Sequence, residues 1–92
     1  MESLIYRYRF SPSVSIDAVE ESLMLATLST ESSFGRSRVQ MDSSFRLDKK
    51  NRTCTIDAST PVGSNIATVF TGFLAREFGE ATFTVERVEE LE

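Results

Sequence analysis

The chain has 92 residues, a formal net charge of −4 and no histidine. A chain of this length can bury one modest core, so we predict a single domain spanning residues 1–92. The acidic balance disfavours non-specific attraction to nucleic-acid phosphates, and the missing histidine excludes a Ser-His-Asp triad or a His-based zinc site within one chain.

The first predicted elements are a strand and a helix. Alternation of apolar and polar residues from Leu4 to Phe10 predicts a strand whose even-numbered side chains face the core. A helical pattern follows from Ile16 to Thr30. Asp17 and Ser15 compete as its N-cap, and Gly35 is a plausible stop signal.

Two more alternating runs flank a charged hairpin loop at residues 48–52. Arg38 to Asp48 predicts a second strand, because its apolar residues share one parity. Those residues are Val39, Met41, Phe45 and Leu47. Thr53 to Ala58 predicts a third strand that turns Cys54 inward, where a free thiol behaves as a small, inert apolar group.

A second helix and a fourth strand complete the chain. Thr60 is the expected N-cap of this helix, with Pro61 at its first position and Gly79 as its stop. Alternation from Ala81 to Val88 predicts a last strand whose odd-numbered residues, through Val85, are buried.

The order strand, helix, strand, strand, helix, strand is typical of the ferredoxin-like α+β sandwich. Connection rules then give a four-stranded antiparallel sheet, in the order 4-1-3-2, with two helices on one face. This fold hosts many unrelated functions, so the function has to be sought in individual surfaces.

The sheet face away from the helices is the first candidate surface. It is expected to carry the charges of Arg7, Arg9, Asp57 and Glu86. These could form a basic patch for an anionic ligand or RNA, or they could form cross-strand ion pairs on a solvated face. Ion pairs are favoured, since sheets of this topology that bind RNA stack bases on outward aromatic residues, and none is expected here.

The start of the second helix is the second candidate surface. Thr60, Gly63, Ser64 and Asn65 combine hydroxyl and amide groups with a helix N-terminus, which attracts anions. The simpler interpretation is a helix cap, because the loop carries no lysine or arginine. A ligand-binding regulatory domain that uses this loop is the alternative function.

The helical layer is the third candidate surface. Met24, Leu25 and Leu28 lie outside the main apolar stripe of the first helix, and Leu25 lies nearly opposite it. Packing of the two helices within the monomer would explain Met24 and Leu28 but explains Leu25 poorly. The outer face of the second helix is small and uncharged, and it includes Thr68, Gly72 and Ala75.

These surfaces favour a non-catalytic interaction module that associates through its helical layer. The expected partner is a protein, most simply a second copy of the chain, since two-fold association is the commonest oligomeric state. No cofactor, metal, nucleic acid or membrane is expected to bind, and a minor enzyme role is the second alternative.

A cytoplasmic location is expected from three features of the sequence. No apolar run approaches the ~18 residues that a membrane span needs. Residues 1–4 lack the basic cluster of a signal peptide. The single cysteine, Cys54, cannot form an internal disulfide.

Overall fold

The computed structural model describes residues 4–89. Residues 1–3 and 90–92 lie outside the described residues. The prediction that no signal peptide is present rests on residues 1–4 and therefore falls mostly outside the described range. The protein is an α+β structure in which three helices accompany a four-stranded antiparallel sheet. The elements are β1 (Ile5–Phe10), α1 (Ile16–Phe34), α2 (Arg36–Asp42), β2 (Phe45–Asp48), β3 (Thr53–Asp57), α3 (Pro61–Phe78), a short 3-10 turn (Glu80–Thr82) and β4 (Phe83–Val88).

The strands lie in the order β2-β3-β1-β4, and every neighbouring pair is antiparallel. Strand β1 is therefore central. Its residue Tyr8 lies opposite Cys54 on one side and Val85 on the other. The core lies between one face of this sheet and the helices. Its buried residues are Tyr8, Phe10, Val14, Val19, Leu23, Ala26, Val39, Cys54, Ile56, Ala58, Val62, Ile66, Ala67, Phe70 and Leu74.

Helix α2 occupies the segment that was predicted to begin the second strand. In a strand, Val39 and Met41 would lie on the same face. On a helix, side chains separated by two positions point in directions about 200° apart. Val39 is buried and Met41 is 83% exposed, as the helix requires. The prediction of a strand from Arg38 is therefore wrong, β2 keeps only four residues, and the fold has three helices rather than two.

The helix ends follow the predicted chemistry with one change. Ser15, not Asp17, caps α1 by accepting a hydrogen bond from the Ala18 amide at 3.3 Å. Gly35 ends α1 at a backbone φ of 88°, a left-handed conformation that glycine adopts without a Cβ clash. Thr60 caps α3, Pro61 occupies its first turn and Gly79 ends it, as predicted.

The two predicted faces of the sheet are only partly correct. Tyr8 and Phe10 are buried as expected, but Ile5 is also buried, although its parity places it on the face away from the helices. On β4, Val85 is 42% exposed and Ala81 lies in the 3-10 turn before the strand. The edge strand β4 is thus less completely covered by helices than its alternation predicts.

Tyr8 anchors the centre of the core. Its ring meets the ring of Phe70 edge to face, with 5.0 Å between the centroids. Its hydroxyl lies 2.7 Å from the Thr71 hydroxyl, which satisfies the polar end of the side chain. Burial raises the pKa of Tyr8, since the phenolate would lose its hydration.

Cys54 is a free, buried thiol, as predicted. Desolvation raises the pKa of the thiol to about 12, so very little reactive thiolate exists at neutral pH. We expect a thiol reagent to label the native protein far more slowly than the unfolded chain, at a rate set by transient opening of the fold. Labelling followed by mass spectrometry, with and without denaturant, measures the two rates. Equal rates would contradict burial of this strand face.

Candidate functional sites

The charged face of the sheet brings together three of the four predicted residues. One Glu86 carboxylate oxygen lies 3.5 Å from Arg7 Nη1 and 3.3 Å from Arg9 Nη2. Asp57 has a different role, because its carboxylate accepts a hydrogen bond from the Ser59 amide at 2.9 Å and so closes the turn after β3. The cross-strand ion pairs expected from the sequence are therefore formed through Glu86.

A cavity of about 230 Å³ lies beside these arginines on the same face. Its lining residues are Arg7, Arg9, Arg46, Asp48, Asn51, Thr53 and Thr55. Sequence reasoning did not select Arg46 or Thr55, although their parity on the predicted strands already placed them on this face. Arg7 and Arg46 flank Thr55 in the strand register, one on each side.

The hydrogen bonding of Asp48 and Thr55 determines the chemistry of the cavity. The Asp48 carboxylate accepts hydrogen bonds from the Asn51 amide at 3.1 Å and from Asn51 Nδ2 at 2.7 Å. These bonds lower the pKa of Asp48, which is therefore ionised at neutral pH. The Thr55 hydroxyl, in contrast, is buried without a hydrogen-bond partner among residues 4–89.

The start of α3 has the geometry of a helix cap. The Thr60 hydroxyl accepts from the Gly63 amide at 3.0 Å and donates to the Asp42 carbonyl at 2.8 Å. Asn65 Nδ2 donates to the Thr30 hydroxyl at 2.9 Å, and Gly63 is buried against the backbone of β3. Only Ser64 of the four predicted ligand-binding residues has an exposed side chain here.

The outer surface of α1 is apolar and open. Met24, Leu25 and Leu28 are 60%, 56% and 57% exposed. The alternative that α1–α3 packing buries Met24 and Leu28 is therefore wrong. Phe45 from β2 approaches the same surface, and together with Met24, Thr27 and Leu28 it lines a depression of about 220 Å³.

The outer face of α3 continues this layer with small residues. Thr68 and Gly72 are exposed and Ala75 is half-buried. A Cβ added at Gly72 would meet no described atom within 4 Å. Gly72 therefore makes no close approach to another element within residues 4–89.

A further groove of about 410 Å³ opens between β4 and α3, where the helices leave the edge strand uncovered. Tyr6 and Val85 lie on its sheet side, and Ala67 and Thr71 on its helix side. The sequence pattern does not predict this groove, since alternation along β4 predicts complete burial of Val85.

Neither a metal-ligand cluster nor a membrane-spanning helix occurs within residues 4–89. No three histidine, cysteine or acidic side chains are grouped as ligands of a metal ion in this range. None of the helices in this part of the chain combines the length and apolar character that a bilayer span requires. Comparison with known proteins finds no matching family model, no matching curated protein and no matching solved structure.

Proposed function

We propose that the domain is a non-catalytic protein-interaction module that binds a second copy of itself through its helical layer. The observation that carries this proposal is the exposed apolar surface formed by Met24, Leu25 and Leu28 on α1. Single exposed apolar residues are normal, but contiguous apolar patches on a small protein mark interaction sites. Phe45 extends this patch across to β2.

The architecture supports a layered module of the ferredoxin-like type. Strands β1 and β3 are central, and the strand order reads 4-1-3-2 from the β4 edge. Helix α2 is then an addition inside the connection between α1 and β2. The proposal places the module in the cytoplasm, in keeping with its single free thiol, Cys54.

The spacing of residues along α1 suits pairing with an antiparallel copy of the same helix. With the two-fold axis midway between Leu25 and Leu28, each Leu25 faces the Leu28 of the other copy. In that arrangement Glu21 faces Ser32, not a second carboxylate. The two Glu21 side chains lie about 16 Å apart along the axis, at about 1.5 Å per residue, which exceeds the Debye length of about 8 Å.

A stable interface must be larger than this apolar centre. A specific interface buries roughly 800 Å² on each partner, which is more than three side chains provide. The neutral outer face of α3, with Thr68, Gly72 and Ala75, extends the surface without introducing charge. The proposed interface therefore has an apolar centre on α1 and a small, uncharged flank on α3, as expected for a centre surrounded by a polar rim.

We expect Leu25→Glu to convert the dimer to a monomer, because dimerisation would bury two unpaired carboxylates at its centre. The fold should survive, since the side chain is already exposed. Light scattering at high micromolar concentration measures the mass, and circular dichroism checks the fold. Met41→Glu is the matched control, because it adds the same charge at an exposed apolar residue outside the patch, and it should remain dimeric.

Two results would overturn the proposal. One is a wild-type chain that stays monomeric at high micromolar concentration. The other is a dimer that tolerates Leu25→Glu as well as it tolerates Met41→Glu.

A further inference from the structure

The buried hydroxyl of Thr55 is the unexplained polar group of the open sheet face. Thr55 is only 6% exposed, and its Oγ1 atom has no hydrogen-bond partner among residues 4–89. An unpaired hydroxyl that has lost its water destabilises a fold, so buried polar atoms are nearly always paired. A ligand that supplies a hydrogen-bond partner for the Thr55 hydroxyl would therefore bind more tightly.

The surroundings of this hydroxyl favour an anion. Thr55 lies on β3 between Arg7 on β1 and Arg46 on β2, and all three line the cavity of about 230 Å³. Arg9 lies two residues further along β1 on the same face, opposite Thr53. Three arginines thus line a single cavity, and Thr55, the residue that carries the unpaired hydroxyl, lines it as well.

Two carboxylates oppose this positive charge, but both have partners on the protein. Glu86 binds Arg7 and Arg9, with its shared oxygen 3.5 Å and 3.3 Å away. Asp48 lines the cavity, and its carboxylate accepts two hydrogen bonds from Asn51. Three arginines against two carboxylates leave a local positive charge on a chain whose net charge is −4. Each guanidinium has five N–H donors, so pairing with Glu86 does not exhaust them.

We propose that this cavity binds the phosphate group of a small molecule. Arg7, Arg9 and Arg46 would donate to the phosphate oxygens, and the Thr55 hydroxyl would donate to one of them. Arginine suits this role because its planar donor fork matches phosphate geometry and remains charged at every physiological pH.

The size and composition of the cavity argue against a nucleic-acid chain. A volume of about 230 Å³ accommodates a phosphate group with a small organic body. The described outward side chains of β1 and β3 include no aromatic ring on which a base could stack, which sheet surfaces that bind single-stranded RNA require. The proposed ligand is therefore inorganic phosphate or a small phosphomonoester.

The test is an NMR titration of the full chain with sodium phosphate, against sodium chloride at matched ionic strength. We expect saturable shifts of amides around Thr55 with phosphate and none with chloride. Thr55→Val keeps the shape of the side chain and removes the hydroxyl, and it should weaken phosphate binding about tenfold, as loss of one hydrogen bond to a charged group predicts. Without phosphate, the same variant should melt at a higher temperature, since it removes the unpaired group.

Two further variants keep the test decisive. Arg46→Gln, at an exposed position, should weaken phosphate binding without affecting the fold. Arg38→Gln is the matched control, because Arg38 is an exposed arginine on α2 that pairs with Asp42 at 3.3 Å outside the cavity. It should bind phosphate as the wild type does.

A second titration, with glycerol 3-phosphate, distinguishes the two ligand sources. Tighter binding than inorganic phosphate would assign the site to a phosphomonoester, and equal binding would assign it to phosphate itself. Absence of saturable wild-type binding at millimolar phosphate would overturn the proposal, and so would equal affinity of wild type, Thr55→Val and Arg46→Gln. Micromolar binding of single-stranded RNA in about 150 mM salt, lost in Arg7→Ala, would replace it with a nucleic-acid site.

Discussion

Replacing Phe70 with alanine is expected to cost about 3–5 kcal/mol of unfolding free energy, the range for removal of a buried aromatic ring. Phe70 is fully buried in α3, and its ring meets Tyr8 of the central strand at 5.0 Å. The substitution removes that contact and leaves a cavity between helix and sheet. A domain of this size is stable by only about 5–14 kcal/mol, so the variant should lose a large part of its stability.

Urea denaturation followed by circular dichroism measures this loss. Phe73→Ala is the comparison, because Phe73 lies one turn further along α3 and is only half-buried. Its truncation should cost less than that of Phe70, although the helical pattern alone assigns both rings to the core. A loss below about 1 kcal/mol for Phe70→Ala would contradict the orientation of α3, since surface substitutions are the ones that cost so little.

A methyl group at position 63 is expected to be as damaging as the loss of a large side chain. An added Cβ at Gly63 would lie 1.9 Å from the backbone carbonyl oxygen of Asp57, and the position of a Cβ is fixed by the backbone that carries it. No side-chain rotation can relieve that overlap, so α3 would have to move away from the end of β3. We expect Gly63→Ala to cost at least about 3 kcal/mol, the upper end of typical overpacking penalties.

Gly72→Ala on the same helix is the matched control. Its new methyl group meets no described atom of the same chain within 4 Å, so within one chain only helix propensity changes. Alanine should therefore stabilise α3 by about 0.5–1 kcal/mol. Thermal and urea melts of the two variants should shift in opposite directions. A Gly63→Ala protein as stable as the wild type would contradict the close contact between α3 and β3.

Sequence patterns predict the ends of α1 and α3 better than they predict the edges of the sheet. The caps at Thr60, Gly35 and Gly79 follow from local backbone chemistry, which a sequence displays directly. Alternation also identifies the buried side of the central strand β1, apart from Ile5, which is buried on the other face. Central strands are constrained on both sides, so their patterns are the clearest.

The segment from Gly35 to Ser44 shows why alternation alone is insufficient. Short apolar patterns fit strands and helices alike, and the burial of Val39 is consistent with both. Length and neighbouring contacts decide between them, and α2 gains its contacts from α1 and α3, which the sequence does not place in space. Val85 on β4 is exposed for a related reason, because helix coverage depends on how the layers are positioned.

The candidate sites also combine features that the sequence predicts with features that it cannot predict. Exposure of Leu25 follows from the helical wheel, because one sheet cannot bury opposite faces of a helix. The unpaired state of the Thr55 hydroxyl could not be predicted, since it depends on distances to every nearby donor and acceptor. Parity and the strand order together place Arg46 and Arg7 on the same sheet face, on either side of Thr55.

The central position of β1 also affects how the chain can fold as it is synthesised. Arg9 on β1 and Glu86 on β4 are 77 positions apart in the chain. At about 5–20 residues per second, the ribosome adds β4 roughly 4–15 s after β1. During that interval one edge of β1 has no strand to pair with, so the nascent chain exposes a strand edge that could pair with another chain. Sheet completion must wait for the last strand, and a ribosome that pauses between α3 and β4 would prolong this exposure.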